Sequence, residues 1–415
     1  MLNSLRKKAL AAAFTAPPRL HAALLFSTLA GTLASGAALA DISDTIKPFV
    51  AASYSYDDNL MRLPDEVPGF SGPRSDTSRM LQAGFLFNRP IGRQILTGQA
   101  KWSKVSFNRF SQFDYDGKDY LADLEWHIAN HLEGHVGASY SQTLTPFSDF
   151  QSTVRNLRTE RREYVNGAWR FHPSWRVRGG LARNRYSYDL PSQAFSNWTE
   201  DSTEFGVDYL ASSNSRIGLQ LRHLDGNYPN RGALDTSIYG NGYTQDEIKA
   251  NVYWELSGIT QMEFLGGWVR HRNSLLSGHD VSGTNGRLSV YWKPLGKVNF
   301  TGVVWREFGS VDNSLVTSSL NTGASVAATW AATSKVSIDA LLRQERRDFS
   351  AVSGLVLPGD GRDTTRTASL GANYAPHPKI QLGVRLFHER REGVAIVDSG
   401  GYRAKGISFN GSVQF

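Results

Sequence analysis

The feature that most restricts this chain is a two-residue alternation of apolar and polar side chains, sustained over long segments and broken by tight turns. In residues 247–256 the even positions Ile248, Ala250, Val252, Trp254 and Leu256 are apolar, while Glu247, Lys249, Asn251, Tyr253 and Glu255 are polar or amphipathic. Residues 120–128 set Ala122, Leu124, Trp126 and Ile128 against Asp123, Glu125 and His127. The pattern recurs over 132–140, 216–222 and 379–385. Successive strand side chains point to opposite faces, so each segment reads as a strand with one greasy and one wet side.

Short turn signals punctuate these strands about forty residues apart. They fall at 89–93, 129–131, 172–174, 212–215, 257–258, 294–296, 332–334 and 376–378. Between them lie longer segments rich in Gly, Asp and Asn: 57–76, 110–118, 146–158, 190–200, 227–243, 273–284, 310–318, 350–364 and 396–402. Tight turns alternating with long loops are the asymmetry of an outer-membrane barrel, short at the periplasm and long outside. A propeller repeats at a similar period, and a soluble sandwich alternates in the same way. Strands of about ten to sixteen residues are too long for either. The apolar faces also end in Trp126, Trp169, Phe171, Tyr209, Trp254, Trp292, Trp330 and Tyr374 beside the turns, where a barrel carries its aromatic girdle.

The expected fold is therefore all-β, a transmembrane antiparallel up-and-down β-barrel. A first strand at about 46–57, eight hairpins and a last strand at 402–415 make about 18 strands, with 16 as the next choice. Residues 95–110 and 182–190 fall out of phase, and bulges are expected there. Ile407, Phe409, Gly411, Val413 and Phe415 form an outward apolar face ending on a terminal Phe. This face is similar to the last strand by which the barrel-assembly machinery recognises its clients.

The first forty residues fit export. Arg6-Lys7-Lys8 opens a basic leader, Ala22 to Ala34 is apolar, and Ala38 and Ala40 place small residues ahead of a cut before Asp41. The division is a signal peptide at 1–40 and a barrel at 41–415. Beyond residue 40 there is no apolar run long enough for a spanning helix, and mean hydropathy is −0.36. The absence of cysteine excludes disulfides, thiolate metal sites and a lipidated amino-terminal Cys. Without its four leader cations the chain keeps 41 basic against 38 acidic residues, a balance that argues against nucleic acid as a partner.

A barrel of this size encloses water unless it is plugged. Removing the apolar face leaves Arg170, Arg176, Arg178, Arg216, Arg222, Lys249, Arg287, Arg343, Arg347 and Arg385 as candidates for the lumen, with Lys297 and Lys379. Glu125, Glu133, Glu204, Asp208, Glu247, Glu263, Asp339, Glu345 and Glu389 share those faces. Two readings stand: a conduit easing the passage of anionic solutes or polymers, and a salt-bridged wall that stiffens the barrel. Loops 57–76 and 146–158 are the segments able to fold inward.

The opening strand and loop read Pro48-Phe49-Val50, then Tyr54-Ser55-Tyr56-Asp57-Asp58-Asn59-Leu60-Met61-Arg62-Leu63-Pro64. This segment resembles the start of the EpsL-like outer-membrane β-barrels associated with exosortase and polysaccharide biosynthesis loci. The resemblance implies export of an extracellular polysaccharide across the outer membrane, and it brings no catalytic residues.

Other chemistry finds little support. His127, His131 and His135 straddle a turn without an acidic ligand to fix a metal. Asp114 to Asp119 lacks the remaining ligands of a calcium loop. Ser274 with His271 and Asn273 is the sole candidate for a rim hydrolase. Arg343 to Arg347 and His388 to Glu392 read as strand ends whose arginines face lipopolysaccharide phosphates. The expectation is a non-enzymatic barrel with no metal or cofactor, set in outer-membrane lipid and lipopolysaccharide and exporting polysaccharide with periplasmic export proteins. A general or anion-selective porin, a rim hydrolase, and a non-conducting receptor or scaffold are the rivals.

Overall fold

The computed structural model describes residues 45–65, 72–231, 241–273, 280–310, 316–351, 361–393 and 400–415. The expected signal peptide, with Ala38, Ala40 and Asp41, lies outside the described residues. Eighteen strands follow one another: β1 Ile46–Asp57, β2 Asp76–Ile91, β3 Gln94–Phe107, β4 Tyr115–Ile128, β5 Leu132–Leu144, β6 Leu157–His172, β7 Trp175–Tyr188, β8 Trp198–Leu210, β9 Arg216–Asn227, β10 Gly242–Ser257, β11 Thr260–Asn273, β12 Val281–Leu295, β13 Val298–Ser310, β14 Val316–Trp330, β15 Val336–Ala351, β16 Arg362–His377, β17 Ile380–Gly393 and β18 Tyr402–Gln414. Each pairs antiparallel with its neighbours in sequence, and β18 pairs β1, so the sheet closes without an edge. Closure matters because an open edge in hydrocarbon would leave backbone N–H and C=O groups without partners.

All eight short turns separate strands where the sequence places them, from 92–93 to 378–379. The alternation translates directly into two wall surfaces. Along β9, Ile217, Leu219 and Leu221 stand outward and exposed, while Gln220 between them is buried on the inner side. Outward Trp169, Tyr209, Trp254, Trp292, Trp330 and Tyr374 ring the turn end as the girdle requires. Trp126 shares that face, and its ring lies where a Cβ on Gly134 would collide at 2.5 Å. Among the described residues no helix is long and apolar enough to cross a membrane; strands make the crossing. A closed wall with an apolar outside and a polar inside is built for a bilayer, and the chain is an outer-membrane barrel.

Two expectations need correction. The segment 110–118 is a loop only to Asp114, and Tyr115 to Lys118 are already strand; likewise Leu157 and Arg158 belong to β6. The out-of-phase stretches hold no bulge, because the β2–β3, β3–β4, β6–β7 and β7–β8 registers run unbroken through them. Their phase is masked by chemistry. Near the outer ends of β3 and β7 the outward residues include Lys104, Arg183 and Arg185, so "outward" there no longer means apolar. Register shifts sit instead near the turns, at Trp169/His172, Glu255/Ser257, Trp292/Leu295 and Tyr374/His377, and at Val316/Ser318.

Candidate functional site: a charge-compensated lumen

Strand register places nine of the ten candidate cations on the inner face, Arg170 in the register shift of β6 excepted, and it places a carboxylate beside most of the nine. Asp208 on β8 is fully buried between Arg176 and Arg178 of β7: Arg176 donates to Oδ2 from Nε and Nη2 at 3.1 and 2.6 Å, and Arg178 Nε reaches Oδ1 at 3.4 Å. Arg178 also pairs with Glu204, and its Nη2 donates to Gln220 Oε1 at 3.0 Å. Glu247 on β10 accepts from Arg222 and Lys249 at 2.9 and 2.8 Å. Arg287 pairs with Glu307 at 2.7 Å, Arg343 with Glu345 at 2.8 Å, Arg347 with Asp363 at 2.5 Å and Arg385 with Asp339 at 2.8 Å. Arg216 instead donates to Asn251 Oδ1 at 3.3 Å, and Arg170 is exposed at the turn end of β6. Of the two readings of the interior, the local geometry is that of the salt-bridged wall. Lys297 and Lys379 are corrected: both sit exposed in turns rather than on strands.

The positions between these pairs are largely amides. Asn166, Asn184, Gln220, Asn251, Asn285 and Asn321 are all inward and buried in the wall. Aromatic rings join them. Trp305 on β13 donates Nε1–H to Glu345 at 2.9 Å, and the guanidinium carbons of Arg343 and Arg287 lie 4.6 and 5.4 Å from its ring. The inner surface therefore offers many hydrogen-bonding groups and little unbalanced charge.

The remaining sequence candidates find structural employment. His135 Nδ1 lies 2.9 Å from Asp123 Oδ1, whose other oxygen accepts from Tyr164 at 2.6 Å; His127 lies 3.3 Å from Glu125, and His131 is exposed in the turn. Among the described residues no three metal-ligating side chains converge. Asp114 accepts from Phe107 N at 2.7 Å and Asp119 from Gln99 at 2.6 Å, so both serve the strands. His271 stacks on Tyr243 at 4.8 Å and contacts Gln245 at 3.2 Å, while Ser274 lies outside the described residues. Arg346 and Arg390 do face outward at the rim, where they pair with Asp348 and Glu392 at 2.8 Å each.

The outer mouth carries an assembly that strand reasoning missed. Asp57-Asp58-Asn59 at the end of β1 ties itself to β18. Asp58 exchanges backbone and side-chain hydrogen bonds with Lys405 at 2.7–3.0 Å, and Asn59 donates to the carbonyls of Leu63 and Arg403 at 2.8 Å. This turn holds Arg62 at a left-handed φ of 55° and presses its guanidinium against Asp57 at 2.8 Å and Glu389 at 3.4 Å. Tyr402 donates to the same Glu389 at 2.6 Å, and Asp363 is shared by Arg347 and Arg391, at 2.5 and 3.3 Å.

Loop 145–156 closes onto this assembly from the far side. The Ser148 carbonyl accepts from Arg391 of β17 at 2.7 Å, Gln151 donates to the Arg62 carbonyl, and Asp149 lies 3.5 Å from Arg158. Between β5 and β17 the wall holds β18, β1, β2, β3 and β4, so the loop spans a wide arc of the mouth. Its base is fixed by an apolar cluster of Met61, Phe113 and Phe147, with Leu60, Leu63, Phe107, Phe110 and Leu144 packed around it. Residues 58–65 and loop 145–156 thus both lean inward, within the two segments singled out in the sequence. The signal for Arg62 was present in the opening motif; its partners on β17 and β18, Glu389, Phe387 and Tyr402, are hundreds of residues away and carried none.

No protein-family profile matches the sequence, and no curated protein does. Among solved structures the chain is similar to OccAB3 of Acinetobacter baumannii, with 10% identity and a TM-score of 0.47 over 90% of this chain and 100% of that one. The outer membrane protein OpdK of Pseudomonas aeruginosa gives 10% identity and 0.49 over 89% and 99%. A point mutant of the ferric enterobactin receptor PfeA of the same organism gives 8% and 0.44 over 89% and 80%. None of these likenesses bears on what this barrel carries.

Proposed function

We propose that this barrel is a non-enzymatic conduit through which a secreted polysaccharide leaves the cell. One observation carries the reading: the lumen wall matches cation to carboxylate and fills the intervening positions with amides and aromatic rings. A hydroxyl-rich chain exchanges water for such groups at many weak sites, and it meets no fixed charge strong enough to hold it. Conduction needs that balance of entry and release. A net-positive wall would instead favour small anions. The opening segment, with its resemblance to EpsL-like barrels, supports the same cargo. Outer-membrane lipid, the barrel-assembly machinery reading Ile407, Phe409, Val413 and Phe415, and periplasmic export proteins are the partners this role calls for.

A porin for small solutes is the second reading, favoured by the arc of loop 145–156 across the mouth. Gene deletion with polymer measurement separates them. Export predicts that polysaccharide accumulates in the periplasm and disappears from the medium, and that the purified barrel in planar bilayers shows conductance reduced by added polysaccharide. Unchanged secretion, with steady conductance indifferent to polysaccharide, contradicts export and leaves the porin.

A further inference from the structure

The outer wall is not uniform. Around β7 to β18 several outward cations near the outer ends pair with carboxylates: Arg183 with Asp201 at 2.5 Å, Arg272 with Asp246 at 3.0 Å, Arg346 with Asp348 and Arg390 with Glu392 at 2.8 Å. Arg306 there donates to Thr284, and Arg270 and Lys405 make no ion pair among the described residues. On β3 to β6 the pattern changes. Lys104, Lys118 and Arg161 make no ion pair among the described residues, although Asp116 stands opposite Lys104 in the β3–β4 register.

Of these unpaired cations, Lys104 and Lys118 border a concavity of about 600 Å³ on the β1–β4 wall. Val50, Leu81 and Trp102 give it an apolar, outward-exposed lining, Ala83 keeps its floor low, and Lys104, Lys118 and Asp116 border it. Beside it runs an aromatic ladder of Phe85, Trp102, Tyr120 and Tyr140, with centroids 6.2, 5.8 and 5.7 Å apart. Arg161 caps the ladder, 5.4 Å from the Tyr140 ring. Lys118 lies beside Trp102 in register, so cation and ring share one level near the outer end of the strands.

We infer that this groove is a binding site for a phosphorylated glycolipid of the outer leaflet, the lipid A portion of lipopolysaccharide. The chemistry of the three surfaces matches the three parts of that molecule. Acyl chains fill the groove over Val50, Leu81 and Ala83; the sugar faces the aromatic ladder, whose rings suit the boundary between hydrocarbon and headgroup. Phosphates take charge-assisted hydrogen bonds from Lys104, Lys118 and Arg161. Elsewhere Arg183, Arg272, Arg346 and Arg390 are already occupied by carboxylates, whereas here the unpaired cations flank an apolar groove and an aromatic ladder, and that combination directs the lipid to this side. The inference rests on the outer-membrane placement of the wall and is independent of what crosses the lumen.

The test uses the full barrel in phosphatidylcholine nanodiscs titrated with fluorescent bisphosphorylated lipid A. The Lys104→Gln/Lys118→Gln protein is expected to bind about tenfold more weakly than wild type, two charge-assisted contacts having been lost. Lys118→Gln alone is expected to fall between. Arg346→Gln/Arg390→Gln, which alters the paired belt, is expected to bind as wild type does, and dephosphorylated lipid A and phosphatidylglycerol are expected to compete poorly. Equal affinity in wild type and the lysine variants overturns the site. So does equal loss in the arginine control, or full competition by phosphatidylglycerol. Retention of the heat-sensitive gel shift of a folded barrel in each variant keeps the comparison sound.

Discussion

Asp208→Asn is expected to lower barrel stability by about 3 kcal/mol, the cost of breaking a buried ion pair from one side. Asp208 is fully buried and holds Arg176 and Arg178 together. Neutralising it leaves two guanidinium groups in the wall with less than their share of negative charge. The loss falls at the lower end of the usual range because Glu133, 3.5 Å from Arg176, and Glu204 beside Arg178 remain. Space gives no escape, since Gly218 opposite is so close that a Cβ there would lie 2.1 Å from the Asp208 carboxylate. Gly218→Ala should therefore reproduce part of the defect by pushing the carboxylate out of place. Urea unfolding in lipid vesicles, followed by tryptophan fluorescence, measures both. Asp201→Asn, in an exposed pair on the outer surface, should leave the midpoint unchanged. If Asp208→Asn unfolds with the wild-type midpoint, the inner ion pairs do not hold the wall.

Shortening the loop that leans into the mouth should have the largest effect on passage. Replacing Ser148 to Thr153 with two glycines removes the Ser148–Arg391 and Gln151–Arg62 hydrogen bonds and the Asp149–Arg158 contact. Phe147 stays, so the apolar cluster with Met61 and Phe113 keeps the loop base folded. Single-channel conductance is expected to rise about twofold or more, because a pore's resistance concentrates at its narrowest section. Wild-type conductance in the shortened protein would mean that the constriction lies elsewhere. Arg391→Ala, which cuts one tether and leaves the loop intact, should give a noisier channel with a smaller increase in mean conductance.

The fold was legible because its signal is local. Strand, turn and face are each written within a few residues, and Ile217-Gly218-Leu219-Gln220-Leu221-Arg222 shows all three. Eighteen strands follow from eight turns read in order, together with the first and last strands. The rule failed where its premise failed. On Lys104, Arg183 and Arg185 the outward face has left the apolar band, and an intact register looked like a bulge.

The site was legible only by face. That Arg347 and Arg385 point inward follows from parity, but Asp363 lies one strand away from Arg347 and Asp339 two strands away from Arg385, and matching them needs a register that no local pattern supplies. The mouth is harder still. Arg62 meets Glu389, and Ser148 meets Arg391, only because the barrel closes through β18 and β1.

The most direct test of a closed wall between lipid and water uses the absence of native cysteine. Single cysteines at Ala324, Ser325, Val326, Ala327, Ala328 and Thr329 along β14, in outer-membrane vesicles, are treated with a charged, membrane-impermeant maleimide. Ser325→Cys, Ala327→Cys and Thr329→Cys should label from the aqueous lumen, and Ala324→Cys, Val326→Cys and Ala328→Cys should resist until detergent is added. Labelling without a two-residue period, or with the opposite phase, would contradict a strand that faces water on one side and hydrocarbon on the other.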